Sequence, residues 1–365
     1  MPAKKKNNNK KRTRTKKLII LAVVILLLGG GSIWGYSYFF SAEEQLSPEN
    51  SDLTPVEEEE EEEEKFISPY TGLPIEEENL LKRPFAMLID NHPKARPQYG
   101  IKDASYVYEI IAEAGITRLL SIFPHKNDIN YGPIRSLRPY YAHLSREHDA
   151  IMAHCGYSEQ TANIIWQDAY ANIDEGPYPG YYYREPTLAS PHNLFTSIEN
   201  LLKGARDFDI YREVEAEPLF EFRENNTAGT VEEVEIPFSS HNHVTYKWND
   251  SREGYERYVN GQPHRDAHYD EQILVNNIIV QYAGYRFISH VHRKYEIVGS
   301  GEGLLIKNGE AEEITWEKED YSQQTNFYGK NGDPLKVSPG NTWIHILSPR
   351  KEAVLTEKEE ENTGE

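Results

Sequence analysis

The sequence predicts an α+β protein: an N-terminal transmembrane helix, then an α/β domain, then a mostly antiparallel β domain. Three observations carry that expectation. Residues 18–40 form an uncharged apolar run. Between residues 67 and 214, short apolar stretches alternate with amphipathic ones, the pattern of strands and helices in turn. From 215 to 349 the pattern has period two and is punctuated by Asn-Gly and Pro-Gly turns. The boundaries expected are a basic tail at 1–17, an anchor at 18–40, an acidic linker at 41–66, the α/β domain at 67–214, the β domain at 215–349 and a charged tail at 350–365, which should fray at the end of the chain.

The chain has 365 residues, with 39 Lys+Arg, 59 Asp+Glu and a formal net charge of −20. Nine of the bases lie in residues 1–17, where there is no acid, so the rest is more acidic still. Nucleic acid is therefore not expected as a partner, because binding it by counterion release needs a basic surface. The one cysteine, Cys155, excludes an intrachain disulfide and a Cys-rich metal site.

The run from Leu18 to Phe40 is long enough to span a bilayer core of ~30 Å as a helix. Bases before it and acids after it place the N-terminus in the cytoplasm and the large region outside. A cleaved signal peptide is the competing reading, but the apolar run exceeds the usual ~7–15 residues and bulky aromatics fill its outer end. Residues 43–64 carry twelve acids and no base, a self-repelling spacer that lacks the turn glycine of a Ca²⁺ loop.

In the first half, strands are expected at Ala86–Asp90, Ser105–Ala112, Ile116–Pro124 and Ala150–His154. The turn Glu113-Ala114-Gly115 joins the second and third. Helices are expected at Arg138–Glu147, at Ser158–Tyr170 with Ser158 as N-cap, and at Ser197–Ala205. In the second half, strands are expected at 219–223, 231–236, 244–248, 255–259, 273–282, 295–298, 303–307 and 342–347.

Glu109 and Glu113 are the candidate acids. Four apart on a strand, they share a face with Cα atoms ~13 Å apart, too far for a two-carboxylate glycosidase. A single acid with a raised pKa remains open, with Glu113 favoured because the turn exposes it. The competing role is an ion pair with Arg118, Arg135 or Arg138. Those arginines and Arg96 form a second constellation, with Ser136 as a candidate helix cap beside Arg135, an arrangement suited to a carboxylate. Asp90, Asn91 and Gln98 flank the end of a strand, where α/β sheets meet ligands, and His192 is a further cleft candidate. Tyr178 to Arg184 reads either as a sugar- or protein-binding loop or as tyrosines folded over the domain. His241/His243 and His290/His292 lack the spacing of a metal site, so no metal is expected. Cys155 after an apolar strand reads as inert. No cofactor is expected, because neither a phosphate-cradling loop nor a Walker motif occurs.

Asp90-Asn91, Ala95-Arg96-Pro97-Gln98, Glu109, Glu113, Gly115-Ile116-Thr117-Arg118 and Gly132-Pro133-Ile134-Arg135-Ser136-Leu137-Arg138 together resemble the YerB-like family of Gram-positive extracytoplasmic, lipoprotein-like proteins. Tyr258, Gly261, His264, Asp266, Asn276-Asn277, Trp316, Lys318, Phe327-Tyr328, Gly332, Pro339-Gly340 and Thr342-Trp343 resemble its C-terminal domain. The resemblance covers roughly residues 68–349. Its relatives typically carry a lipid-bearing cysteine that this chain lacks, which implies that the apolar helix replaces the lipid. It also implies work at the cell wall, with peptidoglycan glycan-strand cleavage of the lytic-transglycosylase kind. The alternative is a non-catalytic scaffold that binds peptidoglycan, another wall polymer or membrane-bound wall-synthesis proteins.

Overall fold

The computed structural model describes residues 65–124, 129–224 and 229–358. In the first half the main elements are β1 (Phe85–Asp90), β2 (Tyr106–Glu113), β3 (Ile116–Phe123), α1 (Pro139–Arg146), β4 (Ile151–His154), α2 (Glu159–Asp168), β5 (Asn172–Asp174) and α3 (Ile198–Asp207). The second half adds β6 (Val231–Ser239), β7 (Asn242–Asn249), β8 (Gly254–Val259), β9 (Asn277–Tyr282), β10 (Gly299–Lys307), β11 (Glu310–Lys318), β12 (Asn326–Tyr328), β13 (Thr342–Leu347) and β14 (Val354–Glu357).

Local chemistry accounts for most of these. The β2–β3 hairpin turns on Ala114 and Gly115, both at positive φ (50° and 78°), the geometry that matches the twist of two-residue hairpins. Ser158 Oγ accepts the Thr161 amide at the start of α2, and Ser197 does the same for Asn200 in α3, satisfying otherwise orphaned N–H groups.

The central sheet has ten strands in the order β12-β11-β10-β9-β13-β2-β3-β1-β4-β5. β13, from near the end of the chain, lies parallel to β2 on one side and to β9 on the other. One sheet therefore runs through both expected halves, and all described residues belong to one compact unit. A smaller sheet places β8, β7, β6 and β14 side by side. It packs with α3 on one face of the central sheet, around Met87, Val107, Ile236, Tyr246 and Trp343. The other face packs against α1 and α2 around Leu88, Tyr106, Ile110, Tyr141 and Ile165.

The expected fold class is corrected: the protein is mostly β rather than α+β. Among the described residues there are three α-helices, of eight to ten residues each, while the strands fill two large sheets. The helices expected in the first half do form, but each covers only a patch of a sheet that the second half extends. The predicted transmembrane helix at 18–40 lies outside the described residues, as do the basic tail and most of the acidic linker. Among the described residues no helix is long and apolar enough to cross a membrane. Two further expectations change. β11 escaped notice because its many glutamates obscure an alternation in which Ile314, Trp316 and Lys318 are buried. The start of the charged tail is ordered, because Val354–Glu357 pairs with β6.

Candidate functional site

β1, β2, β4, β5, β9 and β13 all run in one direction, with β3 antiparallel between β2 and β1. Their C-terminal ends form a rim where several of the predicted residues meet. Asp90 closes β1 and is buried. Its Oδ1 accepts the His92 amide (2.9 Å), and its Oδ2 lies 2.7 Å from His192 Nδ1. Arg135 Nε is 2.8 Å from the same oxygen, close enough for an ion pair though not aligned as a hydrogen bond. His92 stacks on His192 with ring centres 4.5 Å apart. In the tautomer that directs Nδ1–H to Asp90, His192 Nε2 is left as an acceptor.

Arg118 stands opposite Asp90 in the β1–β3 register. Its guanidinium donates to the Ser136 carbonyl (2.7 Å) and to Glu113 Oε2 (2.7 Å). Arg138 Nε donates to Glu113 Oε1, and His292 Nε2 lies 4.0 Å from that oxygen. Asp90, Glu113, Arg118, Arg135, Arg138 and His192 therefore form one charged rim, with the Ser136 backbone inside it. The Ser136 side chain does not cap a helix: α1 begins at Pro139 with Arg138 at the N-cap and no side-chain cap bond. Proline at the first turn set the start two residues later than the serine needed.

Glu109 does not join this rim. An irregularity in the pairing between Ile111 and Glu113 inserts Ala112 as an extra residue. A bulge of this kind turns the following side chain to the other face, so the expected shared face for Glu109 and Glu113 is corrected. Glu109 is fully buried between the two sheets. Its Oε1 accepts from Asn91 Nδ2 (3.1 Å), Thr117 Oγ1 (2.7 Å) and Asn242 Nδ2 (2.9 Å), and its Oε2 accepts from Arg257 Nη2 (2.8 Å). Burial alone would raise this carboxyl, but Arg257, His345 and Thr117 together hold it well below the usual range. Arg257, also fully buried, donates further to Tyr246 Oη (3.0 Å) and to His264 Nδ1 (2.9 Å) and lies over the Trp343 ring. His264 Nε2 donates to Gln98 Oε1 (2.6 Å), and Gln98 Nε2 donates back to Asn91 Oδ1 (3.1 Å). Burial first, then Arg257 and Arg96, lowers His264 far below the ordinary imidazole range. Asn91, Gln98 and Glu109, all predicted as site residues, belong to this sealed network, with Arg96 beside it.

Asn242, Tyr246, Arg257, His264 and His345 were not singled out as site residues from the sequence. The available signal was an arginine amid the apolar and aromatic residues of β8. The remaining candidates take quieter places. The Cys155 Sγ donates to Glu175 (3.2 Å), and burial and that carboxylate push its thiol up to about 11, far from a thiolate nucleophile. Tyr178 and Tyr181 pack on Phe208, and Tyr182 Oη donates to the Ile173 carbonyl, so this loop folds over the domain. His243 pairs with Glu235 (3.0 Å). Among the described residues no three His, Cys, Asp or Glu side chains are grouped to hold a metal.

Residues 70–211 match the family model for the N-terminal domain of a protein of unknown function, DUF3048, and residues 234–344 match its C-terminal domain. The "Putative lipoprotein YerB" of Bacillus subtilis (strain 168) is 30% identical over 304 residues, 81% of this chain and 90% of the relative. The crystal structure of YerB from Bacillus subtilis matches the fold with a TM-score of 0.75 at 30% identity, covering 80% of this chain and 100% of that one.

Proposed function

This chain belongs to the YerB-like DUF3048 family, and from that premise we propose that it is a non-catalytic recognition module, displayed outside the cytoplasm, that binds carboxylate-bearing parts of the cell wall. The location rests on the likeness to a relative named as a lipoprotein. The observation that carries the binding role is the Asp90–Arg135–His192 group at the C-terminal rim. Arg135 contacts Asp90 only through Nε, and its two terminal amino groups make no hydrogen bond to the described residues. They offer the paired donors that fit a carboxylate, and His192 meets the same Asp90 oxygen that Arg135 approaches. Asp90 holds both side chains in place.

The geometry argues against the lytic-transglycosylase reading. A lone general acid must hold a proton aimed at the glycosidic oxygen. Both oxygens of Glu113 are engaged by guanidinium groups, and Glu109 is sealed between sheets in a network that favours its charged form. The peptide stems and lactyl groups of peptidoglycan supply the carboxylates that this rim suits.

Purified sacculi incubated with the full chain separate the two readings. Binding should be retained on pelleting and lost by roughly tenfold in Arg135→Ala, the scale of one charge-assisted contact. Release of anhydro-sugar fragments by the wild-type chain, absent in Glu113→Gln, would overturn the binding-only reading.

A further inference from the structure

One hairpin reverses the charge of its surroundings. The chain carries 59 Asp+Glu against 39 Lys+Arg, yet from Tyr285 to Tyr295 there are Arg286, Arg293, Lys294, two histidines and no acid. Its strands, Tyr285–Phe287 and Arg293–Tyr295, pair only with each other and belong to neither large sheet. Arg286 stands directly opposite Lys294, and both are exposed. Like charges placed directly across a ribbon cost stability. Neither has a carboxylate partner among the described residues, in a chain with acids to spare. The acid that His292 approaches, Glu113, is already held by Arg118 and Arg138. Glu296 follows at the hairpin's base, where its amide donates to the Gly284 carbonyl.

The tip of the same hairpin is apolar. Phe287 and Val291 are 57% and 51% exposed. Ile288 and Lys294 also line a cavity of about 450 Å³ in which Tyr140, Ile164 and Tyr321 stand beside the polar His143, Gln160 and Asp168. Arg293 lies over the Tyr285 and Phe287 rings on one side, so the apolar tip is presented outward beside the unneutralised pair of bases.

We propose that this hairpin docks onto an anionic lipid bilayer, with Phe287 and Val291 entering the headgroup–acyl boundary and Arg286 and Lys294 meeting lipid phosphates. A soluble polyanion would engage the bases and leave the apolar tip unused, whereas a bilayer uses both. Two bases near an anionic surface favour it by roughly 30-fold over a neutral one. Among the described residues, the hairpin meets the rim only where His292 approaches Glu113, and the proposed contact uses neither Asp90, Arg135 nor His192.

Amide exchange on the full chain tests this, because it reads the hairpin itself whatever else holds the chain to lipid. Exchange across 285–295 is compared with vesicles of phosphatidylcholine alone, vesicles containing phosphatidylglycerol, and soluble polyphosphate. Slower exchange on the anionic vesicles only, abolished by the double variant Arg286→Glu/Lys294→Glu and reduced by Phe287→Ser/Val291→Ser, supports docking. Unchanged exchange in β2 and β13 of the variants shows that the fold is kept. Equal slowing on neutral and anionic vesicles overturns the proposal, as does no slowing on either. Slowing by polyphosphate as strong as by anionic vesicles also overturns it and assigns the surface to a soluble polyanion.

Discussion

Glu109 and Glu113 sit four residues apart on one strand, and the single extra residue at Ala112 sends them to opposite faces of the sheet. Glu109 is sealed, with three uncharged donors and a fully buried arginine from the other half of the chain. Glu113 is a quarter exposed and held by two arginines from its own half. The same side chain thus does two jobs. On the buried face it fastens two sheets, and removing its partner leaves a charge with nowhere to go. At the rim, water can replace any partner that is lost. The comparison teaches that acid residues close in sequence are poor guides to a shared site when a bulge lies between them.

The comparison breaks most readily at Arg257. Arg257→Met keeps much of the side-chain volume but strands the Glu109 carboxylate in a dry interface. Breaking a buried pair from one side costs about 3–5 kcal/mol. The urea midpoint of the full chain should fall accordingly, while Arg138→Met, which leaves Glu113 its Arg118 partner, should fall by less than about 1 kcal/mol. Equal losses in the two variants would show that the buried and rim networks do not differ in kind. Because β13 and Arg257 both tie the second half to the first, Arg257→Met should also loosen the halves together, seen as one cooperative transition. Two separate transitions would mean that the shared sheet does not couple them.

Acid should find the buried side first. Burial lowers His264 and His345 below the ordinary imidazole value in the folded chain, while both titrate near ~6.5 when unfolded. The unfolded state therefore binds more protons below that pH. Stability from these neutral histidines is present above ~6.5 and is lost as pH falls, at up to about 1.4 kcal/mol per pH unit for each. Glu109 adds to the same trend lower down. Its folded pKa lies below the unfolded value, so its contribution is present above ~4.3 and drains away as pH drops beneath that. Urea midpoints from pH 7 to pH 5 should slope downward, and His264→Gln, which still offers an acceptor and a donor, should flatten the slope. A slope that His264→Gln leaves unaltered would place the acid sensitivity elsewhere.

Much of this was legible in the sequence, and the illegible part has a pattern. Ser158 and Ser197 announced their helices, and Ala114-Gly115 announced its hairpin, because caps and turns are decided within a few residues. Asp90, Glu113, Arg135 and Arg138 were singled out by residue type near strand ends and turns, and the fold brings them to one rim. The pairing of β13 with β2 joins residues more than two hundred apart, and periodicity carries no register across such a gap. Arg257 and His264 reach Glu109 and Gln98 across 148 and 166 residues. The bulge at Ala112 leaves no mark, since an alanine in an apolar run looks like any other strand residue. The fold class failed for the same reason: each local element was readable, but not the sheet that gathers them.

The mildest test is Glu113→Gln, and its smallness is what makes it informative. The amide keeps nearly the same shape and can still accept from Arg118 or Arg138, though not with a full charge. Both arginines keep other hydrogen bonds, Arg118 to the Ser136 carbonyl and Arg138 to the Leu137 carbonyl. Water reaches the partly exposed carboxylate, so screening limits what the pair is worth to about 1 kcal/mol or less. A midpoint shift of that size, with wall binding intact, fits a rim in which Glu113 positions arginines while Arg135 meets the ligand. A loss of several kcal/mol would mean that Glu113 is as structural as Glu109. Unchanged stability with binding lost would move the ligand contact from Arg135 toward the Arg118–Arg138 pair, because freeing those two guanidinium groups would then have altered the surface that the ligand meets.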